Sequence, residues 1–242
     1  MSGTSGVLGL GTLLNGILGG SCRDGHCAVS GGTPAGGNLY HRFDRFDTRG
    51  GITGVSIENG SHRLVVVGVL DPLGSFLDKN IRLDSPARLL FLSPGGIGLG
   101  SGVSFTNVPQ LTLSSATSAA IGAGRFEVFG TTAAQAAALN GELLPGRAGL
   151  QRDPTVLAAN GITSTGDLVV EGGLITVEKE LLLDAQGGHV LVQQEGGLRA
   201  AGGTIELAGQ EVTVSPGAQL DVTAPPASGT PAAPADGGNL RI

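Results

Sequence analysis

The chain contains few charged and few aromatic residues. Charged side chains make up 14% of its 242 residues, and the formal net charge is -6, whereas about 25% is usual in a globular protein. Aromatic residues make up 3%, with one Tyr and no Trp. The sparse positive charge forms no basic stripe for a phosphate backbone, so we expect no nucleic-acid partner. The shortage of aromatic rings leaves Leu, Val, Ile and Ala to fill a narrow, regularly stacked interior.

Cysteine is also scarce, because the chain has only Cys22 and Cys27. Two cysteines so close together in a glycine-flanked stretch predict a small disulfide loop in an oxidising compartment, with two reduced thiols as the alternative. A zinc site needs about four ligands. Only His26 accompanies the pair, so we expect neither a metal nor another cofactor.

No positive charge precedes the apolar stretch at residues 7–20. A signal peptide opens with Lys or Arg, so this stretch does not read as one. It is also too short and too rich in glycine for a membrane-spanning helix, which needs about 20 apolar residues. We expect residues 8–17 to form an apolar cap of one or two strands, and we expect an export leader to have preceded Met1.

Glycine is abundant, with 44 residues, where an average share of about 7% would give about 17. In the C-terminal third, corresponding positions recur every fifteen residues. They are Gly172-Gly173, Gly187-Gly188, Gly202-Gly203 and Gly217-Ala218. Glycine adopts the positive φ of sharp corners at little steric cost. The spacing therefore indicates an internal repeat with a corner in each copy.

Each copy carries apolar residues at its fourth and sixth positions, which are Ile175 and Val177, Val190 and Val192, Ile205 and Leu207, and Leu220 and Val222. Alternation of period two places both on one face of a strand. We predict an all-β solenoid, a parallel β-helix in which successive copies stack about 4.8 Å apart. An antiparallel sandwich is the alternative, although no Asn-Gly or Asp-Gly turn joins the two strands of a copy. The number of residues per turn stays open.

Two segments interrupt the β pattern. Residues 131–140 combine a capping Thr, an alanine-rich run and a terminal Asn-Gly, which predicts a short helix outside the β-helix. The following stretch, with Pro145, Gly146 and Pro154, is predicted to be an irregular loop. A Pro/Ala-rich loop is predicted at 223–236, after which the repeat restarts with Leu240 and Ile242. Because the repeat stops midway, we expect the chain to be the N-terminal part of a longer protein.

We find no sequence motif for catalysis. A Gly-x-Ser-x-Gly nucleophile elbow is lacking, and the glycine-rich residues 95–102 lack the Lys of a phosphate-binding loop. The acidic pairs that a glycosidase would use are Asp44 with Asp47 and Glu178 with Glu180. The second pair alternates with apolar residues, which favours the solvated face of a strand. We therefore expect no enzymatic activity.

Two further stretches are similar to a known family. Residues 31–43 read Gly-Gly-Thr-Pro-Ala-Gly-Gly-Asn-Leu-Tyr-His-Arg-Phe, and residues 89–97 read Leu-Leu-Phe-Leu-Ser-Pro-Gly-Gly-Ile. They resemble the N-terminal secretion domain of two-partner secretion exoproteins, the filamentous haemagglutinin-like family with its haemagglutination activity domain, in its cyanobacterial branch. The family reads Asn-Pro-Asn-Gly where this chain has Ser93-Pro94-Gly95-Gly96, so only the Pro and the final Gly are kept.

This resemblance implies a right-handed parallel β-helix with an N-terminal cap and extra-helical loops or hairpins. Residues 1–125 would be the secretion domain, and residues 126–242 would continue the turns of the helix. It also implies that a β-barrel transporter of the outer membrane binds the unfolded chain through its periplasmic domains. The residues that would serve recognition or folding are Gly37, Asn38, Leu39, His41, Phe43, Ser93, Pro94, Gly95, Gly96 and Ile97.

The predicted function is therefore non-catalytic. We expect a secretion-targeting domain of a large adhesin-like exoprotein, which nucleates β-helix folding outside a Gram-negative-type bacterium and lies at the cell surface or in the medium. Host or neighbouring-cell glycans or proteins would be bound by parts beyond residue 242. The alternatives are a purely structural or adhesive β-solenoid segment and a carbohydrate-binding or carbohydrate-cleaving β-helix.

Overall fold

The computed structural model describes residues 1–223 and 238–242. The chain is a β-solenoid of about 8 turns with stacked parallel coils, 51% strand and 6% helix. The predicted parallel β-helix is confirmed, and the antiparallel sandwich is wrong because the ladders of the solenoid are parallel. The predicted loop at 223–236 lies, apart from Thr223, outside the described residues.

The strands are numbered along the chain. The cap and first turn contain β1 (Ser2–Gly3), β2 (Thr12–Leu14), β3 (Ile17–Leu18), β4 (Asp24–Gly31), β5 (Thr33–Ala35) and β6 (Asn38–Arg45). The next turns contain β7 (Gly51–Ile57), β8 (Leu64–Val69), β9 (Ser75–Leu77), β10 (Asn80–Leu83), β11 (Arg88–Leu92), β12 (Ile97–Leu99), β13 (Ser104–Thr106) and β14 (Gln110–Ser114).

An insertion follows β14 before the coils resume. It contains β15 (Ser118–Ile121), β16 (Gly124–Glu127), helix α1 (Ala133–Ala137), β17 (Leu150–Gln151) and helix α2 (Pro154–Ala159). The later coils contain β18 (Leu168–Val177), β19 (Glu180–Asp184), β20 (His189–Ala200), β21 (Thr204–Ala208), β22 (Glu211–Val214), β23 (Gln219–Asp221) and β24 (Asn239–Arg241).

Each turn of the solenoid has three faces. Face 1 stacks β6, β8, β11, β14, β19, β21 and β24. Face 2 stacks β9, β12, the first parts of β18 and β20, and β22. Face 3 stacks β4, β7, β10 and β13, and is continued by the second parts of β18 and β20 and by β23. Long strands β18 and β20 therefore bend around a corner and serve two faces each.

The fifteen-residue copies do not stack on one another, and this part of the prediction is wrong. Ile175 lies on face 3, Val190 of the next copy on face 2, and Ile205 of the third copy on face 1. Fifteen residues advance the chain by two of the three faces. All three faces have the same alternation of inward apolar residues and the same glycine corners. The sequence repeat therefore follows the spacing of the faces and not the length of a full turn.

The stacking period is longer than the sequence repeat. Val190 pairs with Val212, 22 residues later, and Leu181 pairs with Ile205, 24 residues later. These values fix the residues per turn, which the sequence left open. Three copies of the fifteen-residue repeat therefore fill about two turns.

Columns of aliphatic side chains fill the interior of the solenoid. On face 1 the residues at one register form a single column of side chains, each at most 1% exposed, made of Val67, Phe91, Leu113, Leu183 and Leu207. Burying one such side chain stabilises the fold by about 1.5–3 kcal/mol. The column crosses the insertion without a break, because β14 pairs directly with β19.

The N-terminal residues cap the first turn. A 3-10 helix at Gly6–Leu8 precedes a hairpin of β2 and β3, in which Asn15 has φ 50 and Gly16 has φ 78. This Asn-Gly pair is typical of the two-residue turns that suit the twist of a hairpin. The predicted apolar cap is thus built from Thr12–Leu14 and Ile17–Leu18. A disulfide joins Cys22 to Cys27, and both cysteines are buried in the core.

Three sequence predictions fall within the insertion. The predicted boundary at residue 125 falls inside β16, and one hydrophobic core runs along the solenoid on both sides of it. Helix α1 lies within the stretch expected to be helical, and the Thr132 hydroxyl accepts the Gln135 N–H in a capping box. The irregular loop expected around Pro154 is wrong there, because Asp153 caps α2 and Pro154 fits its first turn.

Candidate functional site

The second half of the first motif stretch, residues 38–43, lies in strand β6 on face 1, in the first complete turn. Asn38 Nδ2 donates to Leu139 O at 3.0 Å and to Gly141 O at 2.9 Å. The Tyr40 hydroxyl donates to the same Leu139 O at 2.6 Å. Both side chains therefore bind the backbone of the insertion, and both are buried.

The inward side chains of β6 lie in the interior. The Phe43 ring meets the Phe46 ring edge-on with centroids 5.0 Å apart, and Phe46 meets Phe91 in the same way at 5.1 Å. Leu39 is buried and pairs with Pro34 of β5. These contacts are structural, because the phenylalanine rings pack the first turn against β11, two strands from β6 on face 1.

His41 is completely buried. Its Nδ1 lies 3.2 Å from Thr12 Oγ1, and that hydroxyl also accepts the Arg42 N–H. The ring packs against Gly32, where an added Cβ would lie 2.8 Å from His41 Cε1. Burial, with a smaller contribution from His62, lowers the pKa of His41 to about 4. The folded protein therefore holds this imidazole neutral.

Arg42 is a functional candidate that the sequence analysis did not select. Its guanidinium donates from Nη1 to Leu8 O and Thr131 O, both at 2.7 Å, and from Nη2 to Glu127 O at 2.8 Å. Its Cζ also lies 5.4 Å from the centre of the Phe126 ring. Burial lowers the pKa of Arg42 to about 10. An arginine inside the otherwise uncharged run at residues 38–43 is the signal that would have indicated it.

The second motif stretch, residues 93–97, forms the corner between β11 and β12. Ser93 Oγ donates to Gly96 O at 3.0 Å and accepts from Ser75 Oγ at 3.0 Å. The Gly96 N–H donates to Ser93 O at 2.9 Å, and Gly96 has φ 108. Ile97 is 2% exposed and lies in the solenoid core. The short serine side chain thus closes the turn in place of the family's first asparagine.

The backbone of this corner also contacts the insertion. Pro94 O accepts from Arg152 Nη1 at 2.7 Å, and Gly95 O accepts from Ser164 Oγ at 2.9 Å. A Cβ on Gly95 would lie 2.7 Å from Pro72 O and close to other backbone atoms of the preceding turn. The position therefore has no room for an asparagine side chain.

Replacing Gly95 by asparagine is expected to lower the free energy of unfolding by about 1–3 kcal/mol, because the added side chain must displace packed backbone. Urea unfolding followed by circular dichroism measures the change. The matched control is Gly60→Asn, where φ is +51 and nothing lies within 4 Å of an added Cβ. Asparagine tolerates that conformation. Equal stability of the two variants would contradict the packing described at Gly95.

One segment of the chain contacts both motif stretches. We call residues 115–167, which form the insertion between β14 and β18, the strap. Its first part receives the side chains of Asn38, Tyr40 and Arg42. Its second part donates to the carbonyl groups of Pro94 and Gly95. Of the ten residues expected to act in recognition or folding, all are buried except Gly37, which is half-buried beside Arg63.

The acidic pairs considered from the sequence are placed differently. Asp47 lies in a cleft of about 340 Å³, where Arg45 and Arg49 bind its carboxylate at 3.0 and 2.6 Å. The hydrogen bond from Arg49 is the largest influence that holds the pKa of Asp47 well below its usual range. Asp44 and Glu178 are exposed. A glycosidase acid needs a raised pKa, so Asp47 is unsuited to that role.

Two further observations concern metals and membranes. Within residues 1–223 and 238–242, no three His, Cys, Asp or Glu side chains are grouped so that they would hold a metal ion. Among the helices of the described chain, none is long and apolar enough to cross a membrane.

Comparison with known proteins does not indicate a family for this chain. A scan of the chain against models of protein families finds no match, and a search of curated proteins finds none either.

Proposed function

We propose that the chain is a secretion-targeting domain, whose two motif stretches are recognised by a β-barrel transporter of the outer membrane while the chain is unfolded. Export then delivers the chain to the outside, where it folds as a β-solenoid. The domain carries no catalytic centre in this proposal. The observation that supports it best is that both motif stretches, although more than 45 residues apart, are buried under the same strap.

The burial of the motif residues restricts when a partner can bind them. Asn38 Nδ2, the Tyr40 hydroxyl and the carbonyl groups of Pro94 and Gly95 all have partners within the folded chain. A transporter that uses the same groups must bind before these bonds form. The proposal therefore assigns recognition to the extended chain and a structural role to the same residues afterwards.

The architecture is suited to folding during export. Each turn pairs with the turn before it through a parallel ladder, so turns can be added progressively from the N-terminal end. The cap covers the first turn, since β1 pairs with β6 and β2 pairs with β4. The single disulfide links residues only 5 apart, and so leaves the rest of the chain free to extend.

A binding measurement tests this recognition. The periplasmic domains of an outer-membrane transporter of two-partner secretion are immobilised, and the chain is applied either folded or freshly diluted from urea. We expect the unfolded chain to bind at least tenfold more tightly than the folded chain. Equal binding of an unrelated unfolded β-solenoid would reject targeting and favour a purely structural or adhesive solenoid. Glycan binding by the folded chain, without transporter binding, would favour a carbohydrate-binding β-helix.

A further inference from the structure

The outward side of face 1 is apolar only where the strap covers it. Tyr40, Val66, Leu90, Leu92 and Leu182 point away from the solenoid interior and form a second, separate hydrophobic cluster. Its other members include buried residues of the strap, which are Ala119, Ile121, Phe126, Val128, Ala136 and Leu139. This side of the solenoid is therefore built to be covered.

The neighbouring turn lies at the edge of the strap and has a more polar outer side. On β21 the residues that alternate with inward Ile205 and Leu207 are Thr204, Glu206 and Ala208. Ala208 is buried, whereas Thr204 and Glu206 are half-exposed. Their polarity matches a solvated face. The apolar character of face 1 is thus confined to the turns beneath the strap.

The coils do not depend on the strap for their backbone pairing. Strand β11 pairs with β8 on one side and β14 on the other, and β14 pairs with β19 across the point of insertion. Within the strap, β15 pairs with β16 and β17 in a small antiparallel sheet of its own. The ladder bonds of the two sheets are separate, so β15, β16 and β17 can detach without breaking a ladder of the solenoid.

Two arginines fasten the strap, Arg42, which is buried, and Arg152, which is half-buried. Arg42 reaches from β6 to Glu127 O and Thr131 O in its first half. Arg152 acts at its base, where Nη1 donates to Ser115 O and Pro94 O, both at 2.7 Å, and Nη2 donates to Ser164 O at 2.9 Å. Arg152 therefore joins the start and the end of the strap to the second motif stretch.

The backbone around Arg152 accommodates this fastening. Gly166 has φ +82, and an added Cβ there would lie within 2.8 Å of Arg152 Cζ and Ser115 Cβ. A Cβ added to Gly187 would lie 3.1 Å from Arg152 Cδ. Both glycines leave space that the arginine side chain occupies.

We propose that the strap is a closing element that docks on preformed coils and, by docking, withdraws both motif stretches from any partner. The open form presents the apolar side of face 1 together with Asn38, Tyr40 and the corner at residues 93–97. The closed form satisfies all of these groups internally. The inference rests on the proposed function only for the identity of the partner, since opening and closing belong to the chain alone.

Native-state hydrogen exchange of the full chain tests the closing element. In low concentrations of urea, we expect the amides of β15, β16 and β17 to exchange at least tenfold faster than those of β8, β11 and β14, through an opening that leaves the ladders intact. Exchange of both sets at the same rate and with the same urea dependence would overturn the proposal, because the strap would then open only by global unfolding.

The variant Arg152→Gln tests the fastening. We expect a further acceleration of at least tenfold confined to the strap, while the ladder amides stay unchanged. The control is Arg199→Gln, which removes an arginine paired with Asp221 at the exposed surface of a later turn, and which should leave exchange in the strap as in the unmodified chain. Equal acceleration in strap and ladders would contradict the proposal. If Arg152→Gln does not fold, hydrogen exchange of the unmodified chain still tests whether the strap opens separately from the ladders.

Binding of the transporter's periplasmic domains separates this inference from the proposed function. Native Arg152→Gln should bind them at least tenfold more tightly than native Arg199→Gln. Faster exchange in the strap without any gain in binding would leave the closing element in place and confine recognition to the extended chain. Uniform exchange would reject the closing element, whatever the chain binds when it is unfolded.

Discussion

Replacing Arg42 by methionine is expected to lower the free energy of unfolding by about 2–4 kcal/mol. Methionine fills much of the same space but removes the guanidinium that donates to the carbonyl groups of Leu8, Glu127 and Thr131. The removal of a buried charge offsets part of this loss. Arg42 joins the N-terminal cap, the first turn and the strap. Removing its guanidinium should therefore also weaken the attachment of the cap and the strap to the first turn.

The Arg42 prediction is checked by urea unfolding, with Arg82→Met as the matched control. Arg82 is an exposed residue of β10, where the same substitution should change stability by less than about 0.5 kcal/mol. Arg42→Lys keeps a positive charge but not the planar fork of donors, and should fall between the two. An Arg42→Met variant as stable as the Arg82→Met variant would show that the buried guanidinium contributes no stability.

Acidification is expected to destabilise the fold through His41. The pKa of His41 is lowered to about 4 in the folded chain, mainly by burial, against about 6.5 when unfolded. Between these values the unfolded chain binds a proton that the folded chain does not bind. Stability is therefore complete above about pH 6.5 and falls as the pH decreases, by about 3 kcal/mol in all at about pH 4.

The variant His41→Asn isolates this effect. Asparagine keeps a polar group near Thr12 but does not titrate, so the stability difference between the unmodified chain and the variant should shrink between pH 6.5 and 4. Asp47, whose pKa is depressed, loses its contribution only at lower pH. Burial raises the pKa of Asp184, which favours folding on acidification equally in both proteins. The control is His26→Asn at an exposed position. Parallel pH profiles of the unmodified chain and His41→Asn would contradict the prediction.

The class of fold follows from local features of the sequence. Alternating aliphatic residues such as Ile205 and Leu207, with glycines between strands, specify inward faces and corners wherever they occur. The register of the turns does not follow from the same pattern. Each face resembles the other two in sequence, so the pattern does not show which strands stack. The fifteen-residue repeat spans two faces of a turn, and the length of the full turn is seen only from pairs such as Leu181 with Ile205.

The sequence indicated the residues of the candidate site but not their contacts. The motif stretches were identified by resemblance, yet Asn38 binds carbonyl groups 101 and 103 residues further along the chain. No local pattern encodes such a contact. The strap was expected only as a helix within an irregular region, because its contacts with β6 and with the corner at residues 93–97 are all long-range. Arg42 was missed for the same reason, since its acceptors are backbone groups.

The amount of this chain that reaches the medium tests the targeting function most directly. The chain, behind a cleavable export leader, is produced in a Gram-negative host with and without an outer-membrane transporter of two-partner secretion. We predict that the chain accumulates in the medium only with the transporter, and that replacing residues 38–43 by alanine leaves it in the periplasm. Replacing the exposed residues Gln219 and Asp221 should leave secretion unchanged. Equal amounts in the medium without the transporter would contradict the account.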